Sequence, residues 1–393
     1  MKKKWTIIVS AALCIMLLVC GCGQKEEKPT FTGDTTEEPP YQDNLNAISP
    51  SAYNNVQGLE LEPGSYISII GKDESSAYWK AIRKGVEQAA ADLNEALGYS
   101  GEDKIKVTYN APGEVEDIDE QVNILDEELA RYPDAIGIAS IDADACTVQF
   151  DLATENGIPI IALDSGNSYQ GIQCTIKTDN ADAARTGAYK LCDEIEDKGG
   201  ILLLVHDSKS ASGKEREESF QNEIQNNHPE VAVVETIYLD RMEEMKKEIA
   251  KEKNEAREET EKGGSKAGEE ITPESLTDED VIEYYLEKHT DIKGCFGTNI
   301  TATQLALSAL KQAEDEDVIL MGFDAGKEQM EALKNGEIKG LVVQNPFGIG
   351  YASVVAAART ILQSGNEAEV NTGFIWVTQE NMEEESIQNM LYE

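Results

Sequence analysis

The amino-acid sequence predicts an α/β protein made of two doubly wound parallel-sheet lobes. The chain has 393 residues, which is enough for two core-bearing domains, because single cores stop growing at about 250–300 residues. Short, β-rich apolar runs alternate with longer amphipathic segments. The runs are almost entirely apolar, which is typical of parallel strands covered on both faces. This alternating series also starts twice along the chain.

The first series opens with the strand-like run Tyr66–Ile70. The next segment places Trp79 and Ile82 at helical spacing, and Ser75 or Ser76 can cap its start. A second helix follows around residues 122–129. Right-handed strand–helix–strand connections would join these elements into one lobe. The further strands expected in this lobe are 105–109, 135–139, 158–163 and 174–176.

The second series repeats the same plan and predicts a second lobe. Ligands of open α/β sheets bind outside the carboxyl ends of the strands. Polar residues directly after these runs are therefore the candidates for binding. The strands expected here are 201–205, 231–238, 295–297, 318–323 and 341–344.

The N-terminus has the pattern of a secretory signal peptide, residues 1–21. Three lysines precede an apolar stretch at 7–19, which is shorter than the roughly 20 residues that span a bilayer. The stretch ends in Val19-Cys20-Gly21-Cys22, which resembles the lipobox of bacterial lipoproteins. Cys22 is the expected lipidation site because the small Gly21 precedes it. Two acyl chains give stable anchoring, so we expect a lipid-anchored protein on the extracytoplasmic face of the cell membrane.

Two segments lack the pattern of a folded core. Residues 22–61 carry Gly, Lys, Glu, Thr and Pro without sustained periodicity, which predicts an acidic, solvated tether. Residues 241–270 consist almost entirely of Glu, Lys, Ala, Arg and Gly. Their first part suits an exposed helix with charged pairs one turn apart. We interpret this segment as a charged surface insertion.

Charge and cysteine spacing exclude several classes of function. With 34 basic and 75 acidic residues the formal net charge is −41, which repels phosphate backbones, so nucleic acid is not an expected partner. The cysteines beyond residue 22 lie far apart and form no CxxC pair, so the spacing indicates neither a metal site nor a disulfide-dense scaffold. No cofactor is expected. Whether a disulfide joins any of Cys146, Cys174, Cys192 and Cys295 stays open.

Seven short motifs follow one another at the ends of the expected strands. They are residues 77–79 (AYW), 156–164 (NGIPIIALD), 177–180 (KTDN), 214–220 (KEREESF), 297–299 (GTN), 321–324 (MGFD) and 342–345 (VVQN). With them, the region from Tyr66 to Val377 resembles the periplasmic-binding-protein-like type I family, in its ribose and galactose branch. The resemblance implies a three-strand hinge near Thr178, Asn345 and Gly373. Lobe one would contain residues 62–176 and 346–372, and lobe two residues 177–345 and 373–393.

The resemblance and the strand-end rule together suggest which residues bind ligand. A sugar needs planar hydrogen-bonding groups for its hydroxyls and aromatic rings for its C–H faces. Each aspartate and Asn299 could instead be a cap, Gln344 could serve the hinge alone, and Trp79 also fits a buried helical stripe. The candidate ligand-binding residues are Tyr78, Trp79, Asp164, Lys214, Asn299, Asp324 and Gln344.

Two departures from the ribose-type pattern weaken the assignment to ribose itself. Ser165 stands where that pattern has an arginine directly after the first-lobe aspartate. Lys214 stands where it has another, two residues before the position of Arg216. Lysine is a point charge rather than a planar fork, so bidentate recognition is weaker. We therefore expect a monosaccharide-like ligand without naming it.

The predicted function is capture of a small polar ligand, expected to be a sugar, between two closing lobes and its delivery to an ABC transporter permease, with the protein as a monomer. The main alternative is a ligand-sensing lipoprotein that signals through a membrane histidine kinase or chemoreceptor. An enzyme is not expected, because no catalytic motif surrounds any histidine. His206 could face the cleft as a polar lining group. A transcription regulator would need a DNA-binding motif where the signal peptide stands.

Overall fold

The computed structural model describes residues 39–115, 117–262 and 270–392. Within these ranges twelve strands form two six-stranded sheets. The strands are β1 (Tyr66–Ile70), β2 (Lys106–Asn110), β3 (Ala135–Ile138), β4 (Ile160–Leu163), β5 (Ile172–Lys177), β6 (Gly199–Val205), β7 (Val231–Tyr238), β8 (Ile292–Gly297), β9 (Ile319–Phe323), β10 (Gly340–Gln344), β11 (Glu369–Asn371) and β12 (Phe374–Val377).

Helices separate most of these strands and cover the sheets. Among the described residues they are α1 (Gln42–Asn46), α2 (Ala77–Leu97), α3 (Ile118–Leu129), α4 (Thr147–Glu155), α5 (Asn180–Glu194), α6 (Ala211–Asn227), α7 (Met242–Lys262), α8 (Asp278–Lys288), α9 (Ile300–Gln312), α10 (Lys327–Asn335), α11 (Pro346–Ile361) and α12 (Glu385–Gln388).

The two sheets have the same plan, which confirms the expected fold class. The first sheet has the order β11-β5-β4-β3-β1-β2 and the second has the order β12-β10-β9-β8-β6-β7. Every pairing is parallel except that of β10 with β12, which is antiparallel. The inner strands β1, β3, β4 and β10 are buried at every residue, whereas the edge strands β2, β7, β11 and β12 are partly exposed. Burial on both faces explains why the sequence shows continuous apolar runs rather than alternation.

The chain passes between the two sheets three times. It leaves the first sheet after Lys177, returns after Gln344, and crosses again between Asn371 and Phe374. Each crossing is a short extended or turn segment at the same side of the molecule. This arrangement suits a hinge, because only a few backbone torsions need to change for the lobes to move.

Helices α2 and α11 approach each other closely at two glycines. A Cβ on Gly85 would lie 2.0 Å from the carbonyl oxygen of Phe347, and a Cβ on Gly350 would lie 2.0 Å from that of Ile82. No other residue type fits there without moving a backbone. The contact lets α11 seat its apolar residues against the first sheet.

Residues 41–61, here called the N-terminal strap, differ from the expectation of a tether over 22–61. They pack against the body, because irregularly spaced apolar side chains cover ends of α11 and the first sheet, and Tyr41 stacks on Phe347 at 5.1 Å. The lack of periodicity reflects irregular backbone rather than solvation. The buried side chains of the strap include those of Leu45, Ile48, Tyr53, Val56, Leu59 and Leu61.

The strap is hydrogen-bonded to the hinge region. Asn345 Nδ2 donates to the carbonyl oxygens of Asn44 (2.7 Å) and Thr372 (2.8 Å). Asn44 Nδ2 in turn donates to the carbonyl oxygen of Asn389 (2.8 Å). Asn389 belongs to residues 385–392, here called the C-terminal segment. Both segments therefore lie against the crossing that follows β10.

The charged insertion begins as α7. Met242, Ile249 and Ala250 are buried, and Lys246 forms an ion pair of 2.7 Å with Asp278. The helix is thus attached to the second lobe by one apolar stripe and by the ion pair of Lys246. No helix in the described ranges combines the length and apolar character required to cross a membrane. The predicted signal peptide and Cys22 lie outside the described residues.

Candidate functional site

The carboxyl ends of the two sheets border one cavity of about 250 Å³. Its size is just below the roughly 300–1,000 Å³ of pockets for drug-sized ligands, so a monosaccharide suits it better than a longer ligand. Side chains within three residues of a strand end supply much of its wall. These are Lys72, Asp73, Asp164, His206, Asn299, Asp324 and Gln344.

Asp164 and Asp324 occupy equivalent positions in the two lobes. Each follows the last residue of its strand and has a left-handed backbone, with φ of 56° and 75°. In each case the backbone N–H donates 2.8 Å to the neighbouring strand, to Ile176 and Val342 respectively. Aspartate tolerates this conformation better than most residues. The turn aims one carboxylate of each lobe into the cavity.

Two aromatic side chains at the start of α2 form one wall. Ser76 caps the helix by accepting a hydrogen bond from the N–H of Trp79. The rings of Tyr78 and Trp79 are both buried and meet edge to face at 5.5 Å. The Tyr78 hydroxyl donates to Asp164 Oδ1 at 2.5 Å. Burial and the charge of Asp164 raise the pKa of Tyr78 well above its ordinary value, so it stays a neutral donor.

Arg216 anchors the second-lobe side of the cavity. It is buried, and its guanidinium donates to Asn180 Oδ1 (2.8 Å), the carbonyl oxygen of Thr298 (2.6 Å) and Gln344 Oε1 (2.7 Å). The planar group lies over the Phe323 ring at 4.2 Å. Such a fork fixes both its own position and that of Gln344, which lies at a hinge crossing.

The carboxylate of Asp324 is held on both oxygens. Oδ2 accepts from the N–H of Ile300 (2.9 Å), and Oδ1 accepts from Gln344 Nε2 (2.7 Å) and from the hydroxyl of Tyr392 (2.9 Å). Burial raises the pKa of Asp324, although Arg216 and these donors oppose the shift. Asp324 thus joins the hinge, α9 and the C-terminal segment at the cavity.

Other lining groups keep hydrogen-bonding capacity for a ligand. Lys72 is only 6% exposed, yet its Nζ has no hydrogen bond or ion pair within the described part of the chain. Asn299 Oδ1 caps α9 by accepting from Ala302 at 2.8 Å, which leaves its amide NH₂ available. Because Lys72 lines the cavity, its amine is placed to donate to a ligand atom or water with a lone pair.

His206 and Asp207 form a buried pair at the end of β6. His206 Nδ1 lies 2.8 Å from Thr298 Oγ1, and Nε2 lies 3.3 Å from Asp207 Oδ2. Burial lowers the pKa of His206 to about 3, so the ring is a neutral polar group. Burial alone would raise the pKa of Asp207, but His206, Lys72 and the donors of Ser210 lower it to about 2.

The structure brings six of the seven candidate residues together at this cavity. They are Tyr78, Trp79, Asp164, Asn299, Asp324 and Gln344. It does not place Lys214 there: that side chain is exposed and its Nζ donates to the carbonyl oxygen of Lys209 (2.9 Å). Positions 214 and 216 lie on opposite sides of α6, because consecutive helical residues are 100° apart. The arginine at the cavity is therefore Arg216 itself.

Sequence reasoning missed several lining or supporting residues. Lys72 and Asp73 follow the first strand, so the strand-end rule applied to that strand would have found them. Arg216 stood in a recognised motif but was overlooked in favour of Lys214. Tyr392 could not be identified, because nothing in the sequence around it indicates which strand end it contacts.

Comparison with known proteins points to one family and one fold. A family model described as "periplasmic binding protein domain" matches residues 67–366. The chain is similar to a D-apiose import binding protein of Paraburkholderia graminis, with 23% identity over 78% of this chain and 83% of that protein. It is also similar to a ribose import binding protein of Bacillus subtilis, with 21% identity over 61% of this chain and 67% of that protein.

Solved structures show the same architecture. A carbohydrate transporter solute-binding protein of Agrobacterium radiobacter, in complex with D-arabinose, aligns with a TM-score of 0.66 and 25% identity over 83% of this chain and 98% of that one. An ABC transporter solute-binding protein of Agrobacterium vitis, bound to α-D-tagatopyranose, aligns with a TM-score of 0.67 and 22% identity over 84% of this chain and 99% of that one.

Proposed function

Because the chain belongs to the periplasmic binding protein domain family, whose model matches residues 67–366, we propose that it is an extracytoplasmic solute-binding lipoprotein. It captures a monosaccharide-like sugar between its two lobes and delivers it to an ABC transporter permease. The proposal includes no catalytic step and needs no cofactor. The resemblance expected from the sequence is confirmed at the level of the family.

The observation that carries the proposal is the composition of the cavity wall. Two aromatic rings, Tyr78 and Trp79, stand near carboxylate, amide and amine groups that retain hydrogen-bonding capacity. Sugars present apolar C–H faces and hydroxyls that both donate and accept, so this combination is complementary to them. The named ligands of the similar proteins, apiose, ribose, arabinose and tagatose, support the same class.

The proposed roles follow from the hydrogen-bond donors and acceptors that remain available to a ligand. Asp164 keeps one carboxylate oxygen for sugar hydroxyls, since among the described residues only its Oδ1 has a hydrogen-bond partner. Asn299 would donate through its amide and Lys72 through its amine. Much of the hydrogen-bonding capacity of Arg216, Gln344 and Asp324 is used within the protein. These residues would therefore form fewer hydrogen bonds to the sugar. Charge-assisted bonds contribute about 1.5–3 kcal/mol each, so a handful of them is needed to reach micromolar affinity, about −8 kcal/mol, after ordering costs.

A thermal-shift screen tests the sugar assignment. The mature protein is melted with D-apiose, D-ribose, D-arabinose, D-tagatose and D-fucose, and hits are measured by calorimetry. A binding sugar at a hundredfold excess over Kd stabilises the native state by about 2.7 kcal/mol. Asp164→Asn should remove the shift, whereas Asp182→Asn, an exposed aspartate outside the cavity, should keep it. A shift with amino acids or nucleosides but with none of the sugars would reject the sugar assignment.

Anchoring at Cys22 has its own test. The motif Val19-Cys20-Gly21-Cys22 supports lipidation at the second cysteine. In cells labelled with a clickable fatty acid, Cys22→Ser should abolish labelling and release the protein, whereas Cys20→Ser should leave labelling intact. Retained labelling in Cys22→Ser would show that another residue carries the lipid or that the anchor is of a different kind.

A further inference from the structure

A second cluster of chemically active side chains lies in the second lobe, outside the cavity. Cys192 is in the last turn of α5, Asp197 follows that helix, and His228 follows α6. A ligand atom from each of the three lies within 4.8 Å of the other two. None of the three lines the sugar cavity. Helix packing, and not sequence spacing, assembles them, since α5 and α6 pack along each other.

His228 has a carboxylate on each side of its ring. Nδ1 lies 2.6 Å from Asp197 Oδ1, and Nε2 lies 3.6 Å from Glu223 Oε1. The imidazole is buried, and Nε2 has no hydrogen-bond partner within the described residues. A neutral imidazole carries one ring proton. One of its two nitrogens would therefore direct a lone pair at a carboxylate, which is unfavourable in a buried place.

A cation on the Nδ1 side resolves this conflict. We propose that Cys192, Asp197 and His228 form a zinc-type metal site, in which His228 ligates through Nδ1. The ring proton then resides on Nε2 and faces Glu223, the carboxylate–histidine–metal arrangement common in metalloproteins. Glu223 is itself oriented, because its Oε1 accepts from Asn227 Nδ2 at 2.9 Å.

The donor set favours zinc over hard cations. Thiolate, imidazole and carboxylate are the ligands that Zn²⁺ takes, whereas Ca²⁺ and Mg²⁺ prefer oxygen alone. Two ligands of a tetrahedral zinc ion lie about 3.4 Å apart, so the Asp197 carboxylate must move outward by under about 1 Å. Its side chain is 63% exposed and can do so. Water would complete the coordination.

Binding would displace the thiol proton of Cys192. Zinc binds cysteine as the thiolate, so the metal exchanges for the thiol proton, which is released to solvent, and affinity rises with pH. The bound ion would link the end of α5 to the end of α6 in the second lobe.

Cobalt spectroscopy tests the proposal without any sugar. The purified protein is freed of metal with a chelator and titrated with Co²⁺, then with Zn²⁺. We expect one equivalent of Co²⁺ per chain, a thiolate-to-cobalt charge-transfer band, and its loss when Zn²⁺ is added. Cys192→Ala should remove the band, and Cys295→Ala, another buried cysteine, should keep it.

Further variants make each result decisive. Asp197→Asn changes an exposed side chain, so it serves as the test if Cys192→Ala does not fold. It should weaken Co²⁺ binding at least about tenfold. Glu223→Gln should have an effect of the same size. Absence of the band in the unaltered protein, or an equal band in Cys192→Ala, would overturn the proposal. Either result would leave the hydrogen bond between His228 and Asp197 alone as the explanation of the geometry.

Discussion

The hydroxyl of Tyr392 donates a 2.9 Å hydrogen bond to Oδ1 of Asp324, so the C-terminal segment fixes an aspartate of the cavity. The Tyr392 ring is 6% exposed and meets the edge of Tyr78 at 5.6 Å. Tyr78 belongs to the first lobe and Asp324 to the second. Tyr392 therefore contacts both lobes behind the cavity wall.

Removal of the Tyr392 hydroxyl should destabilise the protein. Tyr392→Phe leaves the buried Asp324 with one donor fewer, and a hydrogen bond to such a group contributes about 1.5–3 kcal/mol. We expect the free energy of unfolding to fall by about 2 kcal/mol in urea denaturation. Tyr132→Phe is the control, because Tyr132 is 72% exposed. Equal stability of the two variants would show that the Tyr392 bond is replaced by water.

Replacement of Arg216 should cost more than that of an exposed arginine. Arg216→Met removes a donor from three buried acceptors, of which Gln344 Oε1 keeps the hydroxyl of Thr178, and loss of one member of a buried polar set costs about 3–5 kcal/mol. Arg216→Lys should lower the free energy of unfolding by less than Arg216→Met, because lysine keeps the charge but cannot reproduce the planar guanidinium. Arg185→Met removes only an exposed ion pair and should change the free energy of unfolding by under about 1 kcal/mol. A small effect of Arg216→Met would contradict the anchoring role.

The close approach of α2 and α11 predicts intolerance of a single methyl group. Gly85→Ala places a Cβ against backbone atoms of α11, so overpacking should lower the free energy of unfolding by about 3 kcal/mol or more. Gly113→Ala is the control, since its Cβ would meet only one atom, at 4.0 Å. Differential scanning calorimetry separates the two. A wild-type melting temperature for Gly85→Ala would mean that the helices can part at little cost.

His206 should make stability depend on pH. Its pKa is about 3 in the folded protein against an ordinary value of 6.5, so between these values the unfolded chain binds more protons. Stability from this group is therefore complete above pH 6.5 and declines as the pH falls toward 3. His206→Gln should flatten the decline in this window, because the variant has no group at this position that takes up a proton on unfolding.

His289→Gln is the control for the pH experiment. The His289 side chain has no hydrogen bond or ion pair within the ranges that the structure describes, so its replacement controls for the removal of a histidine as such. Chemical denaturation at pH 7, 5.5 and 4 provides the measurement. Parallel profiles for the unaltered protein and His206→Gln would contradict a neutral, buried His206.

Sequence patterns predicted the parts of this molecule that depend on local physics. Buried parallel strands require continuous apolar runs, and the polar residues after them converge at one edge of the sheet, so Asp164, Asn299 and Asp324 could be found. The side of a helix on which a residue lies also follows from the sequence. Because the prediction did not take this into account, it named Lys214 in place of Arg216.

The remaining features depend on contacts between distant segments. Tyr392 meets Asp324 across 68 positions, and Cys192 meets His228 through the packing of two helices. The apolar residues of the strap are irregularly spaced, because its irregular backbone packs against a surface formed by other segments of the chain. No local pattern encodes these contacts.

The N-terminal strap also decides how this chain can be shortened or fused. A version trimmed to the family-matched residues 67–366 would lack β11 and β12, so β5 and β10 would become sheet edges with unpaired backbone. It would also uncover the apolar surface that Tyr53 and Leu61 cover. Open edges and apolar patches promote aggregation. A chimera with a relative should therefore exchange residues 41–392 as one block, since the packed unit extends beyond the residues that the family model matches.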